Sequence, residues 1–484
     1  MIASVDIGTT TMKGALFALD GTCLAKAWVP ITHEPCTHVS WHETDPNQWV
    51  SGLETICASL GSTASVTALV ISANGPTLVP MRRKADGSID AAYRALTWMD
   101  RRSTAEAQEV SEIMGTYVDP SFFLPKALHV ARRMPEVYRE TEAFFFVSEY
   151  MNCLLTGKSG TILPGSHFDV WYWNDSVLES LGLDHRKFPP FISPGDVVGQ
   201  VLPEAADRFG FPKDMQVIAG GPDFLVSILG TGSVQPGRVC DRAGTSEGIN
   251  LCTEKLVSDP RLMCYGHIAE PYVNLSGIIT STGSSISWIR NILGMKSGSY
   301  KDFYAVARTS PPGARGLVFL PYLAGERAPI WDPRAKGVFL GLTAGHEAAD
   351  LVRSVTEGIA LAIRDVIEVM EEIGCRVDEL RVTGGPAESS FLNQLKADVT
   401  GKKVLVPDMI DSELLGDACL AAAGLGLYTS AADAAGEYVT FSQEYEPNSA
   451  LADLYNTMFS IYRETYTGTQ HAMHTLADLT HQQQ

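Results

Sequence analysis

Asp223 is the side chain that the sequence places best for chemistry. It follows Val217-Ile-Ala-Gly-Gly-Pro222, where Met215 to Ala219 read as a buried strand, Gly220-Gly221 as a tight turn and Pro222 as the first residue of a helix. In the first helical turn the unpaired N–H groups and the helix dipole favour a carboxylate. Asp223 is thus expected to be charged and held in a fixed direction at the carboxyl end of a strand. An ordinary helix-start residue has the same features, so this stretch alone leaves both a general base and a capping role open.

Three further turns have residue types suited to an anion. Gly8-Thr9-Thr10, Gly244-Thr245-Ser246 and Gly384-Gly385-Pro386 each follow a predicted strand. Glycine lets a ligand approach the backbone closely, and exposed N–H groups with hydroxyls form an anion-binding concavity. Each turn alone also reads as a structural tight turn; together, spread over both halves of the chain, they suit a polyphosphate. Lys13 lies close enough to the first turn to reach the same anion. Asn74 ends one predicted strand, and Asp100 with Arg102 ends another, Thr97-Trp98-Met99. Ligands bind at the carboxyl ends of strands in α/β sheets, which brings these residues into a candidate cleft with Asp223, although loop capping and an ion pair explain them as well.

The familiar nucleotide fingerprints are absent: the sequence has neither G-x-x-x-x-G-K-[ST] nor G-x-G-x-x-G opening a helix. Gly244-Thr-Ser-Glu-Gly248 does match the G-x-S-x-G nucleophile elbow of serine hydrolases. That elbow needs a helix directly after the serine. Ile249 to Thr253 reads as a strand, so a serine hydrolase is only a remote alternative.

The elements needed to position these residues follow from periodicity. The chain opens with a meander of strands over residues 2–6, 14–19 and 22–29, with Asp20-Gly21 as a hairpin turn. Residues 45–60 form an amphipathic helix, Val66 to Ser72 a buried strand, and 103–114, 125–133 and 147–156 helices. Residues 157–215, with six prolines, resist assignment. Strands at 238–242 and 248–253, joined by a Gly-Thr turn, echo the amino terminus and suggest a duplicated architecture. A long helix over 348–373 stops at Gly374. After it come a strand over 379–383, a helix over 389–399, a strand over 403–406 and a helix over 414–426. A last helix spans 449–464, and the tail is expected to fray.

Length and charge limit the options. A chain of 484 residues implies two large domains or about three ordinary ones. With 37 basic against 56 acidic residues the net charge is -19, which argues against nucleic acid or an anionic membrane as a partner. The nine cysteines show no disulfide or zinc spacing, residues 1–6 are not a basic region followed by an apolar run, and no 18-residue apolar run occurs, so no signal peptide is expected. A cytoplasmic protein is expected, and the sequons at Asn174 and Asn274 are read as chance.

Several of these residues form a known pattern. Asp6-Ile-Gly-Thr-Thr-Thr-Met-Lys13, Trp98-Met-Asp-Arg-Arg102, the Asp223 stretch and Gly244-Thr-Ser246 resemble the FGGY carbohydrate kinases. So do the block from Phe319 to Leu342, Arg353 to Gly358 and Thr383 to Ser389, and the xylulokinase branch is the most similar. The resemblance implies an α/β protein of two actin-like (ribonuclease H-like) domains, each a mixed sheet with flanking helices, around an interdomain cleft. Residues 1–234 would be the sugar-binding domain and 235–484 the nucleotide-binding domain. The implied reaction is ATP-dependent phosphorylation of a primary hydroxyl of a small ketose or polyol, and an actin-like nucleotide-binding regulatory protein is the alternative.

By the same resemblance Asp223 would be the catalytic base, Asp6 a residue near Mg2+, and Thr10 and Lys13 contacts to the transferred phosphate. Gly244, Thr245 and Ser246 would hold phosphates of ATP, Gly384, Gly385 and Ser389 would border the nucleoside, and Asp100 and Arg102 would lie near the sugar. The expected partner is a small sugar or polyol, with a homodimer left open. The departures fall on the substrate side. Xylulokinases carry a Gln-Met-His-Gly segment and an asparagine after the catalytic aspartate; here Ala73-Asn74-Gly75-Pro76 and Phe224 stand instead. Both changes remove hydrogen-bond partners for a sugar, which makes D-xylulose itself an open question. Ala127-Leu128-His129 after Lys126 also departs from the family's aromatic ending.

Overall fold

The computed structural model describes residues 1–32, 38, 40–166, 168 and 171–481. The three closing glutamines, read above as a frayed tail, lie outside them. The chain groups into two units. The first holds Met1–Gly230, Gly266–Glu270 and Ser412–Tyr438; the second holds Thr231–Tyr265, Pro271–Asp411 and the chain from Val439 onward.

The first unit is built on a six-stranded sheet of β1 (Ile2–Ile7), β2 (Thr11–Phe17), β3 (Cys23–Pro30), β4 (Ala68–Ala73), β5 (Val197–Gln200) and β6 (Gln216–Pro222). Their order is β3-β2-β1-β4-β6-β5. β1, β2 and β3 form the antiparallel meander, while β4 runs parallel to β1 and β6 parallel to β4. Strands β1, β4 and β6 therefore end at one edge, with Ile7 opposite Ala73 and Ala73 opposite Pro222.

β1 and β4 are buried on both faces, as central parallel strands usually are. One face, with Val5, Ile7, Leu69 and Ile71, packs on Trp49, Leu53 and Ile56 of the helix Asn47–Ser59 and on Tyr150 of the helix Val147–Thr156. Each large apolar side chain buried this way contributes about 1.5–3 kcal/mol. The helix Ser412–Gly424 lies against the other face, where Ser4 Oγ and Ser72 Oγ donate to Asp417 Oδ2 at 3.1 and 2.9 Å. Burial pushes the Asp417 carboxyl well above the usual range, which favours the neutral acid.

The second unit repeats this plan. β7 (Arg238–Ala243), β8 (Glu247–Thr253), β9 (Val273–Ile279), β10 (Glu379–Thr383), β11 (Lys403–Pro407) and β12 (Phe441–Tyr445) lie in the order β9-β8-β7-β10-β11-β12, with a further strand, Met263–Gly266, beyond β9. The senses match strand for strand: two antiparallel neighbours, two parallel ones, then an antiparallel edge. The core of this unit is organised around the helix Ala348–Glu372, which buries Val352, Val355, Ile359, Ile363, Val366, Ile367 and Met370. The Asp350 carboxylate accepts from Glu347 N at its start, and Gly374 follows its end in the left-handed region with φ 83°.

Three expectations change. Pro222 is not the first helical residue: β6 runs on through it across a register slip between Ala219 and Pro222, and the helix Asp223–Gly230 opens at Asp223. Thr97-Trp98-Met99 is not a strand. The strand ends at Leu96, paired with Glu43–Thr44, and the chain then turns, closed by Asp100 N donating to Thr97 O. The last helix is longer than expected, Ala452–His481, because contacts past residue 464 anchor it: Tyr466 OH and His474 Nε2 both bond Asp332 Oδ2.

Candidate active site

The carboxyl edge of β1, β4 and β6 gathers the candidate acceptor-side residues. Gly8 and Thr9 follow β1, Asn74 follows β4 and Asp223 follows β6. Gly220 makes the approach possible, since a Cβ there would lie 2.2 Å from Ile71 O of the neighbouring strand. Asp223 is half-buried, and its Oδ1 accepts from Phe224 N at 2.7 Å, so the helix start fixes its direction as its residue type suggested. Asp6 is 4% exposed near the end of β1, opposite Lys13 in the β1–β2 register. Thr10 is exposed in the turn, which Gly8 N closes by donating to Thr11 O.

The other residues expected near a sugar are largely engaged by the protein. Asn74 donates from both its backbone N and Nδ2 to Ile7 O, each at 2.9 Å, and accepts from Thr77 Oγ1 at 2.8 Å. It ties the ends of β1 and β4 together. Asp100 is fully buried and takes His42 N, Arg102 N and the Arg102 guanidinium on its two oxygens. Arg102 also reaches Glu43 at 2.7 Å and lies 4.1 Å over the Trp41 ring. The strand before them pairs with Glu43–Thr44 and bridges Leu78 rather than joining the main sheet, so Asp100 and Arg102 do not end a strand of that sheet; they brace the wall beside it.

That wall closes a recess of about 240 Å³ lined by Gly8, Thr9, Asn74, Thr77 and Trp98, among others. Trp98 Nε1 donates to Thr9 Oγ1 at 2.9 Å, and Trp98 N to Thr77 Oγ1 at 3.2 Å. Lys126 sits behind it, fully buried, with Nζ at 2.8 Å from Pro76 O and 2.6 Å from Thr97 O. Burial pushes its ammonium down to about 7. The sequence had marked Lys126 only as part of a loose motif; its carbonyl partners, Pro76, Leu96 and Thr97, join the segments that form the recess.

In the second unit, the turns of Gly244-Thr245-Ser246 and Gly384-Gly385 adjoin. Gly384 has φ 84°, and a Cβ on it would lie 2.1 Å from Ala243 O. Gly283, first in the helix Gly283–Ile292, approaches Gly244 O as closely, and Ser284 N donates to Thr245 O. A Cβ on Gly385 would meet open space. Ser389 caps the helix Ser390–Thr400, accepting from Leu392 N. Between these pieces lies a recess of about 360 Å³, lined by Gly283, Ile286, Ile359, Pro386, Leu392 and Lys396 among others.

Lys396 was not singled out in the sequence. Its Nζ lies 2.5 Å from both Asp241 Oδ2 and Glu247 Oε1, all three buried. Burial pushes Asp241 well up; it acts on Glu247 in the same sense, but the adjoining ammonium holds Glu247 below the ordinary range. Alternation along β7 and β8 and a helix face brings the three together, a pairing that no local pattern announces. Ser246 is followed by β8 rather than a helix, so the nucleophile-elbow reading falls.

Comparison with known sequences agrees with this geometry. Residues 1–230 match the N-terminal domain and residues 242–425 the C-terminal domain of the FGGY family of carbohydrate kinases. The chain belongs to that family. It is 25% identical to a xylulose kinase of Lactococcus lactis subsp. lactis (strain IL1403) over 502 residues, 99% of this chain and 98% of the relative. Among solved structures, a gluconate kinase from Lactobacillus acidophilus superposes with a TM-score of 0.84 at 26% identity, covering 97% of this chain and 98% of its own. A ligand-bound xylulose kinase from the same organism gives 0.84 at 25%, covering 97% and 99%. The FGGY assignment makes the chain a carbohydrate kinase, and its two sheet-based units are the actin-like domains of that family. No helix among the described residues is long and apolar enough to cross a membrane.

Proposed function

We propose that this FGGY kinase transfers the γ-phosphoryl group of ATP to a primary hydroxyl of a small ketose or polyol, with Asp223 as the base. The observation that carries the reading is the shared edge of β1, β4 and β6, which places Asp223 one strand from Asn74 and two from Gly8-Thr9. Phosphoryl transfer passes through a loose transition state, so catalysis is mainly positioning and charge stabilisation. A carboxylate kept ionised by a helix start is a weak base, and a weak base suffices where the proton leaves late.

The first unit takes the acceptor and the second the nucleotide. On the acceptor side Thr10 and Lys13 contact the transferred phosphate, Phe224 lies beside the sugar, and Asn74, Asp100 and Arg102 shape its site. On the nucleotide side Gly244, Thr245 and Ser246 hold phosphates, and Gly384, Gly385 and Ser389 border the nucleoside. Asp6 would hold Mg2+: the described residues include no cluster of three metal-ligating side chains, and a single carboxylate supplemented by phosphate oxygens and waters is how Mg2+ usually binds. When bound, the ion neutralises phosphate charge. The buried thiols of Cys57, Cys153 and Cys240 suit a reducing cytoplasm.

The test is ADP release from MgATP over a panel of ketopentoses, ketohexoses, polyols and aldonates. One clear responder is expected. Asp223→Ala should then lower turnover by about 10² to 10⁴, the usual contribution of a general base, and leave ATP binding nearly intact. A fully active alanine variant overturns the assignment.

A further inference from the structure

Two polar groups in the acceptor-side recess have no partner among the described residues. Thr44 and Thr97 line it and are only 3% and 4% exposed, yet the Oγ1 of each makes no hydrogen bond. Thr44 pairs with Ala95, and Thr97, just past the end of that strand, is tied to the same ladder by its N donating to His42 O, which leaves both side chains lining the recess. The main chain there is also held by Thr97 O, which accepts from Lys126 Nζ. A buried hydroxyl left unsatisfied costs stability, and such groups persist where a ligand satisfies them.

We propose that Thr44 and Thr97 are specificity residues whose hydroxyls bond two hydroxyl groups of the acceptor, and that the acceptor is uncharged. The second half follows from the rest of the lining. Among the described residues around the recess none is charged; Asn74, Thr9 and Thr77 supply polar atoms and Trp49 and Trp98 apolar faces. The two cations beside the wall are turned to the protein, Arg102 to Asp100 and Glu43, and Lys126 to main-chain carbonyls. An aldonate would bring a carboxylate into this recess without a cation to balance it, and burying an unpaired charge is strongly unfavourable. A neutral ketose or polyol needs only hydroxyl partners. This inference rests on the acceptor occupying the first unit's recess.

The test compares Thr44→Val and Thr97→Val with Thr44→Ser and Thr97→Ser in the full chain. In acceptor-free protein each valine variant should unfold at a temperature about 2 °C or more higher, because it removes an unsatisfied hydroxyl. With the neutral acceptor found in the panel, each valine variant should raise the acceptor KM about tenfold, the size of one neutral hydrogen bond. The ATP KM should stay unchanged, and the serine variants should keep the acceptor KM. Lower melting temperatures in both valine variants, unchanged acceptor KM, or an aldonate turned over as well as the best neutral compound each overturn the proposal. Failure of the kinase reading itself would show differently, as no ADP release from the unaltered protein with any acceptor, and would overturn the proposal with it, while the melting temperatures report separately on whether the two hydroxyls are unsatisfied.

Discussion

Gly220 shows how narrowly a single residue can set the position of Asp223. The strand carrying it lies beside β4, and a Cβ would meet Ile71 O at 2.2 Å and Ser72 N at 3.1 Å, both backbone atoms that cannot turn aside. The register slips across this point, between Ala219 and Pro222, and the helix opens on the residue after Pro222. Gly220→Ala must therefore push β6 away from β4. We expect a loss of about 1–3 kcal/mol in urea unfolding, the range for overpacking, together with a fall in turnover as Asp223 moves. A variant with unchanged turnover and stability would show that the close approach is not required. At this scale the sequence was informative where chemistry and turn geometry coincide. Asp223, the Gly-Thr turns and Gly384 carry their conformational need in their own residue types. Thr44, Thr97 and Lys396 do not, because what distinguishes them is the company they keep from remote segments.

Among the elements, the helix Val147–Thr156 carries an acid that the unit must bury. Glu149 is 4% exposed; its Oε1 accepts from Ile162 N at 3.0 Å and its Oε2 from Ser148 Oγ at 2.9 Å. Burial pushes its carboxyl from the ordinary 4.5 up to about 7. The folded value lies above the unfolded one, so between these limits the folded chain holds more protons. The stabilising contribution is complete below about pH 4.5, falls as pH rises, and is fully lost above about 7. Glu149→Gln is neutral throughout. Relative to the parent it should gain about 3 kcal/mol between the acid and alkaline ends of this window, read by urea unfolding at a series of pH values. A constant difference would mean that Glu149 ionises normally. Periodicity located this helix and most others to within a few residues. It failed where tertiary contacts decide the end of an element: the final helix persists past Gly468 because Tyr466 and His474 are tied to Asp332, and the strand before Trp98 stops at Leu96 because the chain must turn to bury Asp100.

For the whole molecule, the shared strand order of the two sheets is the main fact, and the sequence hinted at it only through two Gly-Thr hairpins. The remaining correspondence was hidden because the antiparallel edge strand comes before its neighbour in the first unit, as β5 before β6, and after it in the second, as β12 after β11. Each sheet also has its own hydrophobic core, one around Trp49, Ile71 and Tyr150, the other around Ile363, Val382 and Tyr455. A ligand that binds only the native form of one unit stabilises that unit by mass action, about 2.7 kcal/mol at a hundred times its Kd. Hydrogen exchange should resolve this by segment. A non-hydrolysable ATP analogue with Mg2+ should slow exchange in β7, β8, β10 and the helix Ser390–Thr400. The acceptor alone should slow it in β1, β4 and residues 95–102, through which the recess is built. Protection by the nucleotide confined to the first unit would reverse the assignment of roles, since the turns of Gly244 to Ser246 and Gly384-Gly385 would then be structural and the phosphates would have to be held elsewhere.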